Sequence, residues 1–221
     1  MKPALRKADL ESALGQLFQF RQKPPPETIS TGIAEVDAAM GGIPRGSITE
    51  ICGPASSGRT SLLLAVLAEA TGREEVCALV DMADTFDPAS GAAAGIDLSR
   101  LLWVRCGGNP EHALKAADLL AHGGGFGILA LDLADLSPQD ARRIPLPCWY
   151  RLLRAIEKTS TALVVVGQET NAKSCAALIL EMHQERVAWT GLLLRGARVQ
   201  VERRKPGRAA ATTFEIEGLR D

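Results

Sequence analysis

Apolar runs of strand length alternate with segments of helical period through the middle of the chain. Strand-like residues 47–52 precede a helical pattern at 60–70, 76–81 precede one near 89–94, and 101–104 precede one at 111–121. Residues 127–132 then precede a helical pattern at 149–158, and a last apolar run covers 162–167. The runs GILALD and ALVVVG are apolar without alternation. Burial on both faces of a sheet requires that, and the intervening helices supply the crossovers of a parallel sheet. The pattern therefore predicts an α/β fold, a mostly parallel twisted sheet with helices on both faces. Residues 191–194, 198–202 and 212–216 are short runs without helices between them, which predicts antiparallel strands extending one edge. Residues 171–190 follow neither period, and no element is assigned to them.

The N-terminus has a different character. Leu10, Ala13, Leu14, Leu17 and Phe18 fall at the spacing of an amphipathic helix, and Pro24, Pro25 and Pro26 forbid its continuation. Residues 1–26 thus read as a helical arm with a Pro-rich linker, ahead of a core over 27–221. Such an arm cannot bury its stripe alone. It docks either on its own domain or on a neighbouring copy, and the second option makes a homo-oligomer.

Composition narrows the class. With 221 residues and 46% hydrophobic content, the chain can bury a sizeable core. No apolar stretch approaches the ~18 residues of a membrane span, and the charged N-terminus does not resemble a secretion signal, so a cytoplasmic protein is expected. Cys52, Cys77, Cys106, Cys148 and Cys175 are widely spaced without a CxxC pair, as expected of reduced thiols. Net charge is −1, but it is unevenly placed. Lys2, Arg6, Lys7, Arg21 and Lys23 outnumber Asp9 and Glu11 in the arm, and Arg195, Arg198, Arg203, Arg204, Lys205 and Arg208 face only Glu202 near the end. With three Trp, one Tyr and five Phe, the chain offers few stacking platforms for bases.

One segment carries recognisable chemistry. Gly53-Pro54-Ala55-Ser56-Ser57-Gly58-Arg59-Thr60, followed by Ser61, ends a predicted strand and opens a predicted helix. It matches the phosphate-binding loop pattern except at Arg59, where the pattern has lysine. The glycines allow successive N–H groups to point inward, and the helix adds its positive end, which makes an anion cradle. Thr60 supplies the hydroxyl expected on Mg2+, and Asp132, at the end of GILALD, the carboxylate expected near it. Lysine is a compact point charge, whereas guanidinium is planar and suited to bidentate contact, so the change favours binding over phosphoryl transfer.

These residues, with Glu27-Thr28-Ile29-Ser30-Thr31-Gly32, Gly42-Ile43-Pro44-Arg45-Gly46, Phe86-Asp87-Pro88, Gly95-Ile96-Asp97 and the late run RVQVERRKPGR, resemble the core of the bacterial RecA recombinase family. The resemblance implies a RecA-like P-loop core that binds ATP with Mg2+ through Thr60 and Asp132. It implies that Gln168 senses the γ-phosphate and that Asp87 lies beside adenine. It also implies that Arg203 and Lys205 reach a neighbour's nucleotide across a filament interface. Three departures accompany it. Ala83 stands where the family has the glutamate that orients water, and Asp84 should face the other way. Ser90 replaces the aromatic residue that stacks on adenine, and the stretch from Asp132 to Gln168 is too short for the family's first DNA-binding loop while the second, after Gln168, lacks its glycine-rich sequence.

With these departures the chain is similar to the ImuA group of RecA-related accessory proteins. That similarity implies a role in SOS-induced translesion synthesis, docking on a RecA-type recombinase or a translesion polymerase complex. Arg142, Arg143, Lys173, Arg204 and Arg208 are the expected contacts to single-stranded DNA, without sequence preference. The alternatives are an ATP-dependent strand-exchange recombinase and a P-loop protein of another pathway.

Overall fold

The computed structural model describes residues 27–190, 193–207 and 210–217. The predicted arm and Arg208 lie outside them. A two-stranded antiparallel ribbon, β1 (Thr28–Ile29) with β2 (Ile43–Pro44), brackets helix α1 (Ala34–Met40). The chain then runs β3 (Ile48–Cys52), α2 (Arg59–Gly72), β4 (Cys77–Asp81), α3 (Pro88–Ala93), β5 (Leu101–Arg105) and α4 (Pro110–Gly123). It continues β6 (Ile128–Asp132), α5 (Pro138–Arg143), α6 (Leu146–Ile156), β7 (Ala162–Gly167), β8 (Ala176–Thr190), β9 (Leu193–Lys205) and β10 (Ala210–Glu217). The main sheet has the order β10-β9-β8-β3-β7-β6-β4-β5. Pairings from β8 through β3, β7, β6 and β4 to β5 are parallel, and β8–β9 and β9–β10 are antiparallel. The α/β class and the antiparallel edge are as predicted.

Alternation along the central strands explains their uninterrupted hydrophobicity. Ile128 and Ala130 of β6 enter one core with Leu62, Leu63, Val66 and Leu67 of α2. Leu129 and Leu131 enter the other with Ala113 and Ala117 of α4 and Trp149, Leu152 and Ile156 of α6. Both faces are covered, so both parities must be apolar. Helix starts are written locally. Asp87, Asn109 and Ser137 cap the amides of α3, α4 and α5, each followed by proline at the first helical position.

The unassigned stretch 171–190 resolves into a short 3-10 turn, Lys173–Cys175, and the long strand β8. Its first half lies between β3 and β9 with Leu178, Leu180 and Met182 buried. Its second half runs beyond β3 with polar residues, so neither period spans the whole strand. Of the run expected at 191–194 the described part, residues 193–194, lies with the run at 198–202 on the single strand β9, whose pairing with β8 carries register shifts.

Candidate functional site

The carboxyl ends of β3, β7, β6 and β4 lie at one edge of the sheet, and the predicted phosphate loop crosses that edge between β3 and α2. Its path depends on two glycines. A Cβ at Gly53 would lie 2.3 Å from the Met182 carbonyl and 2.8 Å from the Ser57 hydroxyl. Gly58, at φ 87°, opens α2, and a Cβ there would meet Val199 at 2.8 Å and Ile216 at 3.1 Å. The β8–β9 hairpin and β10 thus wall the loop on one side. Pro54, Ala55, Ser56 and Thr60 are exposed, Ser61 is half-buried, and Ser57 is buried. No side chain caps α2, which leaves its first amides to the loop.

Two polar groups in the loop are buried without partners. Ser57 Oγ, folded over Gly53, has none, and neither has Nη1 of Arg59, a residue only 8% exposed. Burial pulls the Arg59 guanidinium below its ordinary pKa, while Asp132 and Asp135 pull it the other way. A buried, unpaired guanidinium nitrogen at a helix start is costly unless an acceptor arrives. A phosphate oxygen is such an acceptor.

Asp132 ends β6 in register with Asp81 of β4 and Val166 of β7. Burial, then the neighbouring Asp81 and Asp135, push its carboxyl up to about 6 against the Ala134 amide and Arg59. Its Oδ1 already accepts that amide at 2.9 Å. Asp81 accepts from the amides of Thr85 and Phe86 and from Trp103 Nε1. Asp84 is turned away, as predicted, onto the Cys106 and Gly107 amides and Arg105. Ala83 is half-buried against the α4–α6 core. The loop and Arg59 therefore fit a phosphate chain. For a divalent cation the fit is poor, because Asp81 and Asp84 are engaged elsewhere, one oxygen of Asp132 is taken by an amide, and the buried Arg59 guanidinium lies in the field of Asp132.

Gln168 leaves β7 and donates to the carbonyl of Ala134 at 3.2 Å, so it faces the Asp132–Asp135 connection. The segment after it is pinned from below by Glu50, a residue the sequence reading did not single out. Glu50 is 1% exposed, and its Oε1 accepts the amides of Asn171 and Ala172, while Oε2 has no partner. Only the odd placement of an acid within ITEIC pointed to it.

The remaining candidates are dispersed. Asp87 spends its carboxylate on α3, accepting the Ala89 and Ser90 amides and the Ser90 hydroxyl, which lowers its pKa. Lys205 donates to the Ser174 carbonyl and pairs in register with Ile179, itself beside Glu50, below the loop. Arg203 lines a cleft of about 750 Å3 at the opposite end of the sheet, beside Ser47, Ser160 and Ala177. Arg204 bonds Glu181 and Glu202, Arg142 grips Glu169 bidentately, and Arg143 pairs with Asp140. Lys173 is exposed at φ 51°.

Residues 2–143 match the family model described as the RecA N-terminal domain. The chain belongs to the RecA family. Among relatives, Protein RecA of Rhizobium rhizogenes is 33% identical over 158 residues, 64% of this chain and 44% of its own length. Protein RecA of Deinococcus radiodurans is 33% identical over 158 residues, 43% of its length. Protein RecA of Allorhizobium ampelinum is 41% identical over 116 residues, 51% of this chain and 32% of its own. This RecA-family chain matches less than half the length of each. Among the described residues no helix is long and apolar enough to cross a membrane.

Proposed function

We propose that the chain is a RecA-type component of DNA repair and recombination that binds a nucleotide at the loop Gly53–Thr60 and works by docking rather than by hydrolysis-driven strand exchange. The observation that carries this reading is Arg59, whose Nη1 is buried and unpartnered where the loop passes into α2. The loop offers glycines that free its backbone, the uncapped N-terminus of α2 and a guanidinium, all of which suit bound phosphates. Hydrolysis needs in addition a carboxylate that orients water. Ala83 supplies none, and Asp84 is committed to backbone amides and Arg105.

The docking partners in this reading are those of the ImuA-like group: a RecA-type recombinase or translesion polymerase complex, and single-stranded DNA. The exposed cations Arg142, Arg143 and Lys173 flank the segment after Gln168 and suit a sequence-independent phosphate track. The arm then serves as the protein-docking element.

ATP turnover by the full chain, with and without single-stranded DNA, tests the reading. The expected result is binding of a fluorescent ATP analogue without turnover above background; DNA-stimulated hydrolysis would overturn it. The retained loop and Gln168 favour a second reading, a strand-exchange ATPase with an altered site. Combining Arg59→Lys with Ala83→Glu separates the two, because the substitutions awaken hydrolysis under the first and change little under the second.

A further inference from the structure

Whether the nucleotide arrives with a metal ion is decided by what already occupies the space between the loop and β6. Arg59 leaves the first position of α2 and is buried in the electrostatic field of Asp132 and Asp135, the first of which ends β6 beside the loop. Its Nη1 lacks an acceptor, and so does the Ser57 hydroxyl folded inside the loop. The pocket therefore presents a fixed monovalent cation and unpaired donors, which is the complement of phosphate oxygens.

The carboxylate donors that would join the Thr60 hydroxyl around a divalent ion are partly used by the same architecture. Asp132 Oδ1 takes the Ala134 amide, Asp81 is engaged by Thr85, Phe86 and Trp103, and Asp84 faces the far side. Among the described residues no three His, Cys, Asp or Glu side chains converge as a metal-ligand group. A second cation at this point would repel Arg59 across a partly desolvated gap and compete with it for the same phosphate oxygens.

We infer that this site takes its nucleoside polyphosphate as the metal-free anion, with the Arg59 guanidinium standing where a divalent cation would otherwise sit. Guanidinium suits the role because it grips two phosphate oxygens in one plane and keeps its charge when buried. The inference rests on the nucleotide reading above. Its consequence is that Mg2+, by chelating the phosphates, weakens binding instead of supporting it.

The test is a titration of the full chain with a fluorescent ATP analogue in EDTA and in excess Mg2+, repeated for Arg59→Lys with thermal melts as a folding control. The parent should bind about tenfold more tightly in EDTA, the scale of one charge-assisted hydrogen bond. The compact ammonium of Arg59→Lys should reverse that preference. Equal or tighter binding by the parent in Mg2+ overturns the inference while leaving nucleotide binding intact, and so does an unchanged EDTA preference in Arg59→Lys. No binding in either buffer removes the nucleotide reading itself, and this inference with it.

Discussion

The buried carboxylate of Glu50 makes a demanding test of how the site is held. It lies at the centre of the five-residue strand β3, and its Oε1 receives two backbone amides, from Asn171 and Ala172, the second at 2.7 Å. Removing it in Glu50→Ala leaves both amides buried and unpaired. At about 1–3 kcal/mol for each orphaned group, the loss is roughly 2–6 kcal/mol, a large part of a domain's stability. Glu50→Gln keeps an acceptor oxygen and sheds the charge, so at neutral pH it should cost no more than about 1 kcal/mol. Burial raises the Glu50 pKa above its model-compound value of 4.5, with the two amides and Lys205 opposing. A raised acid binds its proton more tightly when folded. Its stabilising contribution is therefore full below 4.5 and is lost as pH rises through the folded-state value. Urea melts of parent and Glu50→Gln across that window should converge toward the variant's favour as pH rises. If Glu50→Gln were as damaging as Glu50→Ala, and equally so at every pH, the charge itself would be the stabilising element and the reasoning would be wrong.

Gly58→Ala forces a side chain into a left-handed backbone and against Val199 at 2.8 Å, so it should lower stability by about 1–3 kcal/mol in a thermal melt and weaken nucleotide binding with it. Leu131→Ala, in a fully buried position between β6 and the α4–α6 layer, should cost about 2–5 kcal/mol by urea unfolding with an unchanged m-value. Arg142→Ala breaks an exposed pair with Glu169 and should change stability by less than about 1 kcal/mol. If Arg142 or Lys173 contacts DNA phosphates, alanine at either should reduce the salt slope of single-strand binding by about one, and an unchanged slope removes that residue from the interface.

Legibility in the sequence followed the range of the interactions. The strand–loop–helix junction of the candidate phosphate loop was plain because its signals are contiguous: two glycines, a hydroxyl and a helix start lie within eight residues. The strands β6 and β7 were equally plain, since burial on both faces imposes an unbroken apolar run. Asp84 does turn away, but alternation is not the cause: it lies in a bend beyond β4 at φ 61°, held by the Cys106 and Gly107 amides. β8 was hidden because one strand passes through two environments, a closed sheet up to Met182 and an open hairpin beyond it.

The functional consequences that escaped are all non-local, and they converge on the same junction. Glu50 reads as an anomaly in a strand until Asn171 and Ala172, more than a hundred residues later, turn their amides onto it. Val199 and Ile216 read as ordinary strand residues until they close on Gly58. The loop is thus held between a parallel half that supplies its acids and an antiparallel tail that supplies its wall. Any ligand that moves Gly58 must also press on the β9–β10 pair. The tail residues Arg203, Arg204 and Lys205 sit on that same strand, so the candidate phosphate loop and the chain's most basic segment share the strand that carries Val199, a link that spacing along the sequence does not contain.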